Sequence, residues 1–182
     1  NTVYLQAFDD SHGDGDIRSV YFQNSVAPVK ADVFDHVTRR LQSRGLQVFA
    51  WLPTLSGQWL TREHPEDVVT AYDVKGKGWY RRATPFSPRV REQLRTMVRE
   101  LALHTPIDGI LFQDDLYLND YEDVSPAARN AFADRFGRQL TPETLRDPEI
   151  RRQWAKMKAQ ALTELTGDLI GSVREFRPLA LT

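Results

Sequence analysis

The chain has 182 residues, 41% hydrophobic and 27% charged, with a formal net charge of −1 and no cysteine. This suits a globular domain with one sizeable core, and it excludes disulfides, thiol nucleophiles and cysteine-bound zinc. The near-zero charge gives no global field toward nucleic acid or an anionic membrane. No apolar run approaches the ~20 residues of a membrane helix, and the four scattered histidines lack zinc-site spacing.

VYLQAF (3–8) opens the chain as a strand, with no basic leader, so a signal peptide is expected to be absent or already removed. SHGDGD (11–16) is a turn-rich loop, and SVYFQ (19–23) is a short strand or an extended excursion. Asp32 can cap a helix running to Arg44, with Val33, Phe34, Val37 and Leu41 on one face and Gly45 as the stop. LQVFAWLP (46–53) is the second main strand, broken by Pro53. Residues 54–86 form a connection too long for an ordinary loop, so it is expected to be functional or locally structured. Ser87-Pro88 opens a helix whose stripe is Val90, Leu94, Met97, Val98 and Leu101. IDGILFQ (107–113) is the third main strand. Ser125-Pro126 starts a helix to about Phe136. Asp147-Pro148 starts a long helix with a stripe of Ile150, Trp154, Met157, Ala161, Leu165, Leu169 and Val173. RPLALT (177–182) begins a further strand.

Alternating strands and crossover helices imply a parallel sheet. No GxGxxG or GxxxxGK[ST] follows a strand, so nucleotide folds lose their main support and no cofactor is expected. Acids and aromatics gather instead at strand C-terminal ends, where a (β/α) barrel builds its sites. A whole barrel needs about 250 residues. The expectation is an α/β fold of TIM type, here a partial barrel of three to four β/α units, with residues 1–182 as a single domain.

Three constellations carry chemistry. DGILFQDDLYLNDYED (108–123) holds six carboxylates and no Lys or Arg. A buried strand there runs into Asp114 and Asp115, a costly arrangement unless something offsets the charge. Counting by twos from Leu111 puts Gln113 and Asp115 on one face and Asp114 on the other, unless the backbone turns. A carboxyl enclosed among acids holds its proton to higher pH and can serve as a general acid for glycoside hydrolysis. The plainer reading is loop capping or a bound cation. Second, Trp51, Trp59, Trp79, Tyr80 and Phe86 lie at or after the second strand, where flat rings can pack on sugar faces or simply fill a core. Third, FDDSHGDGD (8–16) has four acids and no Lys or Arg. It resembles a calcium loop only weakly, since the closing Glu is missing. With 108–123 it makes one face negative and attractive to cationic ligands such as free amino sugars. The basic residues Arg138, Arg146, Arg151, Arg152, Lys156 and Lys158 are interleaved with acids and read as a solvated helix face, with no nucleic-acid pattern.

The phrases VYLQAFDD…GDGDIRSVYFQNS, VKADVFDHV, VFAWLPTL, YRRATPFSPRVREQL and IDGILFQDDLYLNDYEDVSP resemble the C-terminal glycoside-hydrolase-like domain of the periplasmic poly-β-1,6-N-acetyl-D-glucosamine (PNAG) deacetylase family of Gram-negative biofilm systems. They span most of residues 3–126 in order. The resemblance implies a (β/α) barrel and an endo-acting hydrolase of partially deacetylated PNAG. It implies a linked deacetylase domain, export machinery as a partner, and a periplasmic place with outer-membrane association. The family's metal belongs to the deacetylase domain, so no metal is carried over, and a monomer is expected. The family's strand-end pair falls on Asp114 and Asp115, and its aromatic partner on Tyr80. The strand is also similar to the DGxDxDxE signature of chitinase-type barrels. There the acid falls on Asp115, while the two preceding Asp positions fall on Leu111 and Gln113, so the residue assisting the N-acetyl group is missing, which fits a reacting sugar with a free amine.

The reading is then a glycosidase in which one of Asp114 and Asp115 is the general acid. Asp9 and Asp10 approach the same mouth, with Asp10 a candidate second carboxylate, and Trp51, Trp79, Tyr80 and Phe86 form sugar platforms. The rival is a module that holds the polymer without cleaving it. A third reading is a scaffold with a calcium-stabilised loop.

Overall fold

The computed structural model describes residues 1–73, 75, 78 and 80–182. Five strands and four helices are built from it: β1 (Thr2–Gln6), β2 (Phe8–Asp9), β3 (Ser19–Val20), α1 (Phe34–Gln42), β4 (Gln47–Leu52), α2 (Pro88–His104), β5 (Gly109–Phe112), α3 (Pro126–Phe136) and α4 (Pro148–Arg174). The main sheet is parallel throughout, in the order β1-β4-β5. Leu181 extends the same order beyond β5 through a parallel bridge to Gly109, with Ile110 N–H donating to the Leu181 carbonyl at 2.9 Å and Leu181 N–H to that of Asp108 at 3.0 Å. RPLALT therefore does begin to pair where a further strand is expected. The sheet is open; the described residues form no closed barrel.

The register aligns Val48, Ala50, Leu52 and Ile110 on one face, all buried beneath α1, α2 and α4. The other face carries Tyr4, Phe49, Trp51 and Leu111 and lies open, with Tyr4 58% and Leu111 39% exposed. A second cluster of Val124, Phe132, Leu140, Leu145, Ile150, Trp154 and Met157 joins α3 to the first half of α4. No described helix is long and apolar enough to cross a membrane.

Three sequence expectations need correction. The first strand breaks at Ala7. Its N–H completes the parallel ladder on the Trp51 carbonyl at 3.0 Å, and the chain then turns to pair antiparallel with β3, burying Phe8 edge-on against Trp51. Asp32 does not cap α1. The Tyr21 carbonyl accepts from both Val33 and Phe34 N–H at 3.1 and 3.0 Å, so backbone does that work. Val33 is exposed, and Thr38 is buried in the stripe instead. Lys158 is not on a solvated face. It sits one turn after Trp154 on the apolar stripe of α4, 6% exposed. The long connection 54–86 is locally structured, with short 3₁₀ turns at Gln58–Leu60 and Pro65–Asp67 and antiparallel bridges Val68–Ala83 and Ala71–Glu122.

Candidate active site

β5 ends at Phe112, and Gln113 N–H makes the last inter-strand bond, to the Leu52 carbonyl at 2.8 Å. The chain turns immediately beyond, so the alternation of faces stops before the two aspartates. The turn gives the neighbours opposite environments. Asp114 is exposed, while Asp115 has no exposed surface at all. The Asp115 carboxylate accepts from Thr54 N–H at 2.9 Å, from Ser56 N–H at 2.8 Å and from the Thr54 hydroxyl. It thereby ties the loop after β4 to the loop after β5. Burial pushes its carboxyl above the ordinary range, and the hydrogen bonds from Thr54 and Ser56 oppose that shift only in part.

Tyr80 reaches this end of the sheet from the long connection. Burial raises its phenol, helped by Tyr117, Asp115 and Asp114 nearby and opposed by Arg82, so the hydroxyl keeps its proton and can donate. Beneath it lies a buried ion pair that charge counting alone does not reveal. One terminal nitrogen of Arg82, Nη2, donates to both oxygens of Glu122 at 2.7 and 2.8 Å, with both side chains almost wholly buried. Its other terminal nitrogen donates to the Tyr117 carbonyl at 2.6 Å, and its guanidinium lies 3.9 Å from the Tyr117 ring centre and 5.7 Å from that of Tyr80. A cavity of about 530 Å³ opens beside this cluster, lined by Asp16, Tyr72, Asp73, Tyr80, Arg82 and Glu122 among others. That volume is within the range of small-ligand sites.

The remaining expected residues divide. Asp9 is held by Lys30 at 2.8 Å and accepts from the Tyr21 hydroxyl at 3.2 Å; the Lys30 contact keeps its carboxyl below the usual range. Asp10 is partly buried, and its Oδ1 is enclosed without a hydrogen-bond partner among the described residues. Trp51 stands on the open sheet face in register with Gln6 and Leu111. Trp59 lies over Gly57, with its Nε1 buried and unpartnered among the described residues. Trp79 lies outside the described residues. Phe86 packs against the second core cluster, just before Ser87 opens α2.

Glu122 and Asp123 were given no role of their own from sequence, and Lys158 was placed on a solvated face. Glu122 is neutralised by Arg82, and Asp123 is buried with donors from Thr70 (3.1 Å), Thr84 (2.5 Å) and Ser125 (2.7 and 2.9 Å), so neither reads as a free catalytic acid. Lys158 donates to the Asn119 carbonyl at 2.6 Å and to the Glu122 carbonyl, and caps the Trp154 ring at 3.9 Å. Burial lowers its ammonium to about 8, against the pull of Asp120, Glu122 and Asp123. Its place four residues after Trp154 and three before Ala161 was a usable signal; the partners of Glu122 and Asp123 left none. Among the described residues no group of three His, Asp or Glu side chains is arranged to hold a metal ion.

A family model described as hypothetical glycosyl hydrolase family 13 matches residues 1–182. The chain is 37% identical over 193 aligned residues to the poly-beta-1,6-N-acetyl-D-glucosamine N-deacetylases of Escherichia coli K12 and O157:H7, covering 97% of this chain and 27% of theirs. It thus spans about a quarter of the length of those relatives. Among solved structures it is similar to the PgaB (BpsB) glycoside hydrolase domain from Bordetella bronchiseptica, with a TM-score of 0.84, 35% identity, and coverage of 97% of this chain and 52% of that one. An alpha-L-fucosidase from Paenibacillus thiaminolyticus shares the fold alone, with a TM-score of 0.71 at 14% identity.

Proposed function

The chain belongs to hypothetical glycosyl hydrolase family 13, and from that premise we propose that it cleaves partially deacetylated PNAG, with Asp114 as the general acid. The observation that carries this is the contrast between the two strand-end carboxylates. A proton donor must reach the leaving oxygen. Asp114 is exposed at the strand mouth, beside Tyr80, whereas Asp115 spends its oxygens on Thr54 and Ser56. Asp115 is therefore a positioning residue that fixes the two loops carrying the site.

Asp10, with its enclosed and unpartnered oxygen, is the second carboxylate or the seat of the sugar ammonium. Asp9, already neutralised by Lys30, shapes the rim. Trp51, Trp79, Tyr80 and Phe86 supply sugar platforms. In the reaction Asp114 protonates the glycosidic oxygen as the C1–O bond breaks; a carboxylate on the opposite side then activates water or attacks C1.

The same reading takes residues 1–182 as one domain, the N-terminal part of a (β/α) barrel. It is supported by the order β1-β4-β5, the Leu181 bridge and the open apolar face, which further strands would cover. A linked deacetylase and an export machinery would then share the substrate, in the periplasm.

The rival, a domain that binds PNAG without cleaving it, is favoured by one fact: only one carboxylate of the pair is exposed. Mass spectrometry of partially deacetylated PNAG oligomers incubated with the full-length protein separates the two. Shorter oligomers support hydrolysis; intact oligomers with measurable binding sink it.

A further inference from the structure

Tyr117 lies in the acidic segment after β5, three residues beyond Asp114, and is 36% exposed. One side of its ring is occupied. The Arg82 guanidinium stands 3.9 Å from the ring centre, and the same group holds the Tyr117 carbonyl at 2.6 Å. Arg82 cannot move to follow another partner, because Glu122 grips it with two short hydrogen bonds in a site from which water is nearly excluded. Tyr80 lies over the same guanidinium at 5.7 Å. Two tyrosines are thus fixed on one buried cation beside the Asp114 carboxylate.

A buried ion pair is a poor stabiliser compared with apolar side chains of the same volume. Stability alone therefore gives little reason for Arg82 and Glu122 under a ring that stays partly in water. Fixing the ring gives one. An immobile platform loses no rotamer freedom when a ligand packs on it. Tyrosine presents an apolar face to sugar C–H groups and keeps a polar edge for hydroxyls.

We propose that Tyr117 is a saccharide-binding residue, paired with Tyr80, and that Arg82 and Glu122 are positioning residues that hold this two-ring platform. The proposal rests on the saccharide reading above and adds to it a residue pair that sets affinity rather than bond cleavage.

The test compares the wild type with Tyr117→Ala, Tyr117→Phe and Arg82→Lys in the full-length protein, using partially deacetylated PNAG oligomers. Wild-type binding and turnover are measured first. A wild type that neither binds nor cleaves overturns the saccharide reading and this proposal together. With an active or binding wild type, Tyr117→Ala is expected to weaken affinity about five- to tenfold, the size of one lost aromatic contact. In an active enzyme the change falls on KM and not on kcat. Tyr117→Phe restores affinity because the ring is kept. Arg82→Lys keeps the charge opposite Glu122 but loses the planar guanidinium that spans Glu122 and the Tyr117 carbonyl, so it is expected to weaken affinity as Tyr117→Ala does. Unchanged affinity in Tyr117→Ala, or a loss confined to kcat, overturns the platform while leaving the saccharide reading standing. Should Arg82→Lys fail to fold, the two Tyr117 variants decide.

Discussion

Asp114 and Asp115 are adjacent in sequence and chemically identical, yet one is exposed and the other sealed. Strand alternation located the pair but not the split, because β5 ends at Phe112 and the turn beyond it resets which way each side chain points. The partners of Asp115 lie about sixty residues upstream, and no local pattern announces them. Removing that carboxylate strands two buried N–H donors, so Asp115→Ala is expected to cost about 2–4 kcal/mol, read from the denaturant midpoint of unfolding. Lys158 makes the same point with opposite legibility, since the α4 stripe itself runs through it. Its folded-state value of about 8 lies below the ordinary 10.5. Between those values the unfolded chain binds more protons than the folded one, so this residue makes stability rise with pH across that window. The stability difference between wild type and Lys158→Met should therefore grow by about 3 kcal/mol from pH 7 to above 10.5. A difference independent of pH would contradict the burial of that ammonium.

Elements were the most legible layer. Ser87-Pro88, Ser125-Pro126 and Asp147-Pro148 open α2, α3 and α4, and the side chain before each proline accepts a backbone N–H of the first turn. The helix stripes read from spacing are the buried ones in both α2 and α4. Asp32 misled because a backbone carbonyl can serve as well as a side chain, and only the fold brings that of Tyr21, just past β3, to the start of α1. Ser87→Ala and Ser125→Ala should each cost about 1 kcal/mol, seen as lowered melting temperatures. Gly109 is under a different constraint. A Cβ there would stand 2.3 Å from the Phe49 ring and 2.7 Å from the Leu181 carbonyl. Gly109→Ala should therefore force apart β4, β5 and the Leu181 bridge, a larger loss than either cap. A melting temperature equal to wild type would refute that close packing.

For the whole molecule, the alternation of strands and helices was enough to give a parallel sheet in chain order, and the gathering of acids marked the strand end at which the proposed site lies. The tertiary pairings that select among those acids were out of reach. Lys30 on Asp9, Arg82 on Glu122 and the Thr54 loop on Asp115 all join segments separated by long stretches of chain. The open face of the sheet follows from the barrel reading. If further strands cover it in the full-length protein, Leu111→Asp should lower the melting temperature by several degrees, although Leu111 is 39% exposed among the residues described. The central claim is that a single exposed carboxylate at the end of β5 donates the proton. The most direct test is to measure kcat and oligomer affinity for Asp114→Asn beside the wild type in the full-length protein. The account expects kcat to fall by about 10²–10⁴ with affinity within a few-fold. Turnover retained in Asp114→Asn would contradict it.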